Sequence, residues 1–261
     1  MRSHYCVSSI LMAIAIAMAG ALAVAAPAQQ PGLPGAAKPK SYKPVAVKLP
    51  TPIKDPTFES FRKQLSGIAE RKDRAALTRM IAKDFFWIPE DKDIADKSRP
   101  PIETLTRALG LDSPDGTGWE IIGSFASDAT GGFDPDRKGV LCSPAEPEYD
   151  IKAAEQLAAA TGTDFQDWVY PASDNVDVRA EPTPNSRVVA KLGMHLVWIF
   201  PDDSPASAVA TDSIRVVLPS GQMGFVAVES LLTLDGDQLC YVKGDDGWKI
   251  AGMRGGDITN K

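Results

Sequence analysis

The chain has 261 residues and a mass of 27.9 kDa, room for one large domain or two small ones at roughly 100–200 residues each. Hydrophobic residues make up 44% and charged residues 24%, an ordinary globular balance that excludes a wholly disordered chain and a multi-span membrane protein. The net charge of −6 and the pI of about 5.0 exclude a broadly basic nucleic-acid binder.

The first element is an export signature. Arg2 opens a short basic start, and Ile10 to Ala26 is then unbroken apolar or small. That is the plan of a secretory signal. Ala26-Pro27-Ala28 supplies the small residues of a cleavage site, so residues 1–28 read as a signal peptide cut after Ala28. Ala21-Leu22-Ala23 is a second candidate site. A retained anchor is the alternative, since about 17 apolar residues is the lower edge of what spans a bilayer. Cleavage leaves no membrane span. It also leaves one histidine, His195, and one cysteine pair, Cys142 and Cys240. A pair in an oxidising compartment predicts a disulfide, with two buried thiols as the alternative. The predicted localisation is periplasmic or secreted.

Residues 29–56 carry Pro31, Pro34, Pro44, Pro50 and Pro52, and Lys38, Lys40, Lys43, Lys48 and Lys54. They read as a proline- and lysine-rich linker, a solvated spacer. Residues 57–168 read as a mainly helical region. Phe58, Phe61, Leu65 and Ile68 recur at helical spacing. Asp73 caps a second helix carrying Leu77, Met80 and Ile81, and Phe85-Phe86-Trp87 follows as a core plug. Pro100-Pro101 starts a short helix that Gly110 ends. Residues 127–150, rich in Asp, Gly and Pro, read as loop, and Lys152 to Ala160 as one more helix.

From Val169 the period becomes that of strands. Short β-rich runs cover Asn175–Ala180, Arg187–Leu192, His195–Phe200, Ser213–Leu218, Met223–Val228, Gln238–Lys243 and Gly247–Gly252. Ser220-Gly221 and Gly244-Asp245-Asp246-Gly247 read as hairpin connections. The run Asn175-Val176-Asp177-Val178-Arg179-Ala180, its continuation Arg187-Val188-Val189-Ala190-Lys191-Leu192, and Gly221-Gln222-Met223-Gly224-Phe225-Val226 resemble the opening hairpin and closing segment of a bacterial SH3-like domain. The resemblance spans residues 169–232. The chain departs from that pattern at Asp177, at Ile214-Arg215-Val216-Val217 where a tryptophan strand is usual, and in an insertion from Asp202 to Asp212. The expected fold class is α+β: a helical N-terminal region, then a small antiparallel SH3-like β-barrel with an extra C-terminal hairpin, over residues 169–254. The Cys142–Cys240 bridge would clamp the junction of the two halves.

The resemblance implies non-catalytic binding of an extended peptide or a peptidoglycan stem in the cell envelope, with no cofactor. SH3-type grooves use aromatic walls, so Tyr170, Trp198, Phe225, Tyr241 and Trp248 are the candidate ligand-binding residues. Catalytic alternatives need more than the sequence offers. His195 shares a strand face with Val197 and Ile199, a structural setting. Cys142, His195 and Cys240 are too few and too scattered for a structural zinc site. Asp91-Lys92-Asp93-Ile94-Ala95-Asp96 lacks the glycine of a calcium loop. Asp134/Asp136 and Asp235/Asp237 are acid pairs that read as solvated loop charge. An adaptor for an envelope protein partner and a carboxylate-based envelope hydrolase are the alternative functions.

Overall fold

The computed structural model describes residues 39–201 and 212–256. The expected signal peptide, the expected linker as far as residue 38 and most of the expected insertion, residues 202–211, lie outside the described residues. Within them the chain is α+β. In order it forms β1 (Val47–Lys48), α1 (Pro56–Glu70), α2 (Arg74–Met80), β2 (Ile81–Ile88), α3 (Pro101–Leu109), α4 (Thr117–Ser127), β3 (Gly132–Phe133), β4 (Val140–Ser143), β5 (Glu148–Tyr149) and α5 (Ile151–Thr161). There follow β6 (Trp168–Pro171), β7 (Val176–Arg179), β8 (Val188–Leu192), β9 (Val197–Ile199), β10 (Ser213–Val217), β11 (Met223–Ala227), β12 (Leu231–Thr233), β13 (Gln238–Gly244) and β14 (Gly247–Arg254). No helix among the described residues is long and apolar enough to cross a membrane.

The first layer is helices on a sheet. Asp55 caps α1 by accepting from Thr57 and Phe58 N–H groups, with Pro56 at the first helical position. Asp73 caps α2, and Gly110 ends α3 in the left-handed region at φ 64°. The apolar stripe of α1 faces a five-stranded sheet ordered β2-β14-β13-β4-β3. Period-2 alternation divides that sheet's two faces. Phe85, Trp87, Leu141, Leu239 and Tyr241 join the helices in one core, while Phe86, Ile88, Val140, Cys142 and Cys240 form a second cluster on the other face. The expected core plug Phe85-Phe86-Trp87 is thus a strand, and it splits between two cores.

The C-terminal hairpin is a correction to the sequence reading. β13 and β14 do not extend the strand half. β14 runs parallel to β2, and β13 is antiparallel to β4, so the hairpin completes the N-terminal layer. A bulge at Ile250/Gly252 brings Gly252 opposite Phe86. A methyl group on Gly252 would overlap the Phe86 ring. Gly252→Ala is therefore expected to destabilise by about 1–3 kcal/mol through overpacking. An unchanged urea midpoint would refute the close approach.

The second layer is a seven-stranded antiparallel sheet ordered β12-β6-β9-β10-β11-β7-β8. Among the described residues it is open: pairing ends at β12 and at β8, and it does not close into a barrel. Gly221, at φ 80°, makes the turn between β10 and β11, where a residue with a Cβ is disfavoured. One face of the sheet carries Val169, Val178, Leu192, Val197, Val216 and Val226. The other, with Trp168, Tyr170, Leu196 and Val217, is covered by α5 through Ala154 and Leu157 and by Tyr42, Val45 and Val47.

That covering corrects the linker boundary. From residue 39 the proline-rich stretch is a fixed strap. Val47 N–H donates to Met194 O at 3.0 Å, Leu196 N–H donates to Val45 O at 2.9 Å, and β1 pairs with β5. Its prolines deny it a helix but leave alternate N–H groups for pairing.

The cysteines form the expected disulfide, with Cα atoms 3.9 Å apart on the paired strands β4 and β13. It does not clamp a helical half to a strand half. It joins two neighbouring strands of one sheet, at the points where the chain leaves that layer and returns after building the other.

Candidate functional site

The five aromatic residues singled out above do not make one groove. Tyr241 is fully buried between Phe58 and Phe61, with ring centroids at 5.1 and 5.7 Å. Trp248 packs on Phe58 at 4.8 Å and donates its indole N–H to the Thr57 hydroxyl at 3.0 Å. Both therefore seal α1 to the C-terminal hairpin. Trp198 is half-buried between Trp168 and Phe200. Phe225 is half-buried beneath the Arg215 guanidinium, 5.1 Å from its ring centre. Tyr170 lines one cleft, and Trp248 lines a smaller one beside α1 and α2.

The acid pairs also part. The Asp134 side chain is fully buried, accepts from Asp136 and Arg137 N–H groups, and meets Arg254 at 3.1 Å. It is a structural anchor of the β3–β4 turn, not solvated charge and not paired with Asp136 for acid–base work. Asp93 accepts from Trp87 and Ala95 N–H groups and so organises the loop after β2. His195 Nδ1 lies 3.0 Å from Leu196 O.

The cleft has a volume of about 310 Å³, at the low end for ligand pockets. Five separate segments build it: Leu49-Pro50 of the strap, Asp128 and Thr130 after α4, Pro144–Pro147 after β4, Tyr170 and Ala172 on and just after β6, and Leu232 to Gln238. Hydrogen bonds fix each wall. Arg62, reaching up from α1, donates to the carbonyls of Ala126, Ser127 and Asp128 and so ends α4. Asp128 Oδ1 accepts from the Thr130 N–H and hydroxyl at 2.6 Å each. Thr130 Oγ1 in turn accepts from Ala145 N–H at 2.9 Å, and Gln238 Nε2 donates to Pro144 O at 2.6 Å. Asp237 Oδ1 accepts from Gly256 N–H at 3.0 Å.

Two features set its chemistry. Tyr170 is 4% exposed, and its hydroxyl has no hydrogen-bond partner among the described residues. Burial, and after it the Asp128 carboxylate, push this phenol above its ordinary value, so it stays a protonated donor and acceptor. The charged side chains of the lining are Asp128, Glu146 and Asp237, with no basic residue among them. Beside the cleft, burial and then Glu146 and Asp235 raise Tyr149 as well.

Leu232 stands directly opposite Tyr170 in the β6–β12 ladder and is 43% exposed. Among the described residues β12 is the terminal strand of its sheet and pairs only with β6. β6, which carries Tyr170, is not among the strands that the sequence alternation marks. The acids of the cleft are not legible either, because they come from loops far apart in the chain. Among the described residues no group of three or more His, Cys, Asp or Glu side chains is placed to hold a metal ion.

Comparison with protein-family models, with curated proteins and with solved structures finds no match for this chain.

Proposed function

We propose that this chain is a non-catalytic binding protein of the cell envelope that holds an extended peptide in the cleft between edge strand β12 and the Pro144–Pro147 loop. The observation that carries the reading is the juxtaposition of a buried tyrosine, whose unpartnered hydroxyl opens to the cleft, with an exposed leucine on a terminal strand. A terminal strand offers main-chain groups to an added strand, and a pocket beside it takes a side chain. The export signature, the disulfide and the SH3-like resemblance over residues 169–232 support the envelope setting. On this reading Tyr170 keeps its ligand-binding role. Trp198 and Phe225 remain second-choice contacts, and Tyr241 and Trp248 become core residues.

The test is retention of the exported protein on immobilised extended peptides and on purified peptidoglycan, with Leu232→Asp alongside. Retention on peptides that Leu232→Asp abolishes, at unchanged thermal stability, is the expected result. Retention on peptidoglycan alone would transfer the ligand to the wall polymer. Retention on neither would leave the adaptor reading, in which a folded protein partner is recognised.

A further inference from the structure

We infer that the cleft selects a protonated primary amine, so that its occupant is an extended peptide presenting a lysine side chain. The inference rests on the peptide-binding reading above and names the side chain the pocket takes. The cleft is rich in acceptors. Glu146 has no hydrogen bond or ion pair within the described residues, although every other wall of the cleft is tied down. Asp128 spends Oδ1 on Thr130 and leaves Oδ2 without a partner. Gln238 is 8% exposed and spends its amide N–H on Pro144, which leaves its carbonyl oxygen. Tyr170 is buried beside them, and its hydroxyl, open to the cleft, has no hydrogen-bond partner among the described residues.

These acceptors open to the cleft, and a cationic donor held among them would make charge-assisted hydrogen bonds, which are stronger than neutral ones. An ammonium group has three donors and no acceptor, the complement of this set. A carboxylate-bearing ligand would meet like charge on every side, which disfavours it. A metal ion does not fit the same acids, since no three of them converge. The aliphatic stem of a lysine would run past Leu232 and Pro147, the kind of apolar surface such stems cover.

The experiment uses three capped pentapeptides measured by calorimetry against the exported protein: Thr-Val-Lys-Val-Thr, the same peptide with the lysine acetylated, and the same with glutamate in its place. The lysine peptide is expected to bind at least about tenfold more tightly than either of the others, the scale of one charge-assisted hydrogen bond. Tyr170→Phe and Glu146→Gln should each weaken the lysine peptide severalfold and leave the acetylated one unchanged. Glu146→Gln preserves the size of an exposed side chain and Tyr170→Phe removes only an unpartnered hydroxyl, so both variants should melt with the wild type. Equal binding of all three peptides would overturn the amine inference and leave the peptide-binding reading standing. Selective binding of the lysine peptide that neither variant alters would also overturn it, by placing the amine elsewhere on the acidic surface. Failure of all three to bind would remove both readings.

Discussion

Tyr42→Ala is expected to destabilise the protein by about 3–5 kcal/mol, the cost of deleting a large buried aromatic side chain. For a chain of this size that is a fall in Tm of roughly 10 °C. Tyr42 sits edge-on to Trp168, with ring centroids at 5.2 Å, and its hydroxyl donates to Val217 O at 2.9 Å. Its backbone N–H donates to Pro219 O at 2.9 Å. The substitution therefore opens a cavity and leaves a buried carbonyl without its donor. Tyr42→Phe separates the two effects and should cost only about 1 kcal/mol, one hydrogen bond. If Tyr42→Ala melts with the wild type, residues 39–48 are a spacer after all and the second face of the seven-stranded sheet is covered in some other way. Truncation from the N-terminus gives the companion readout: ending before residue 39 should be silent, and ending before residue 51 should not.

Replacing both cysteines by alanine is expected to cost about 4–5 kcal/mol in the chain-entropy account, because the bridge closes a long loop. The two cysteines are 98 residues apart in sequence. In Tm the loss is roughly 10–20 °C, readable by calorimetry of wild type and Cys142→Ala/Cys240→Ala. The size of the effect follows from topology. Everything from β5 to β12 lies inside the loop, so the bridge restrains the entire second sheet in the unfolded chain. Both sulfurs are buried, so alkylation of native protein should find no thiol, and digestion without reductant should yield one linked peptide. Two alkylatable thiols in the folded protein would refute the bridge and the predicted loss together.

Both expectations depend on features that local sequence signals carry unequally. The cysteine pair was visible as a pair, because cleavage of the expected signal peptide would leave just two. What it joins was not. Cys142 falls in a stretch that reads as loop, and β4 reveals itself only through its pairing with β13. The strap shows the same limit from the other side. Its prolines and lysines are those of a spacer, and the small apolar set Tyr42, Val45 and Val47 gains meaning only against Trp168 and Leu196.

The sequence by itself determined the local elements. Helical spacing in Phe58, Phe61, Leu65 and Ile68 marks α1, glycine marks the end of α3 and the β10–β11 turn, and alternation marks most of the strands from β7 onward. These signals lie within a few residues of one another, so chain geometry alone reads them. Only the tertiary structure decided partners. Alternation says that a strand has two faces and says nothing of its neighbour, so the parallel pairing of β14 with β2 could not be read from either segment. An aromatic residue likewise carries no mark of its exposure. Tyr241 and Tyr170 look alike in sequence, yet one is closed in by α1 and the other is left beside a cleft that five distant segments build. The acids that give that cleft its chemistry are ordinary loop residues until folding brings them to one place.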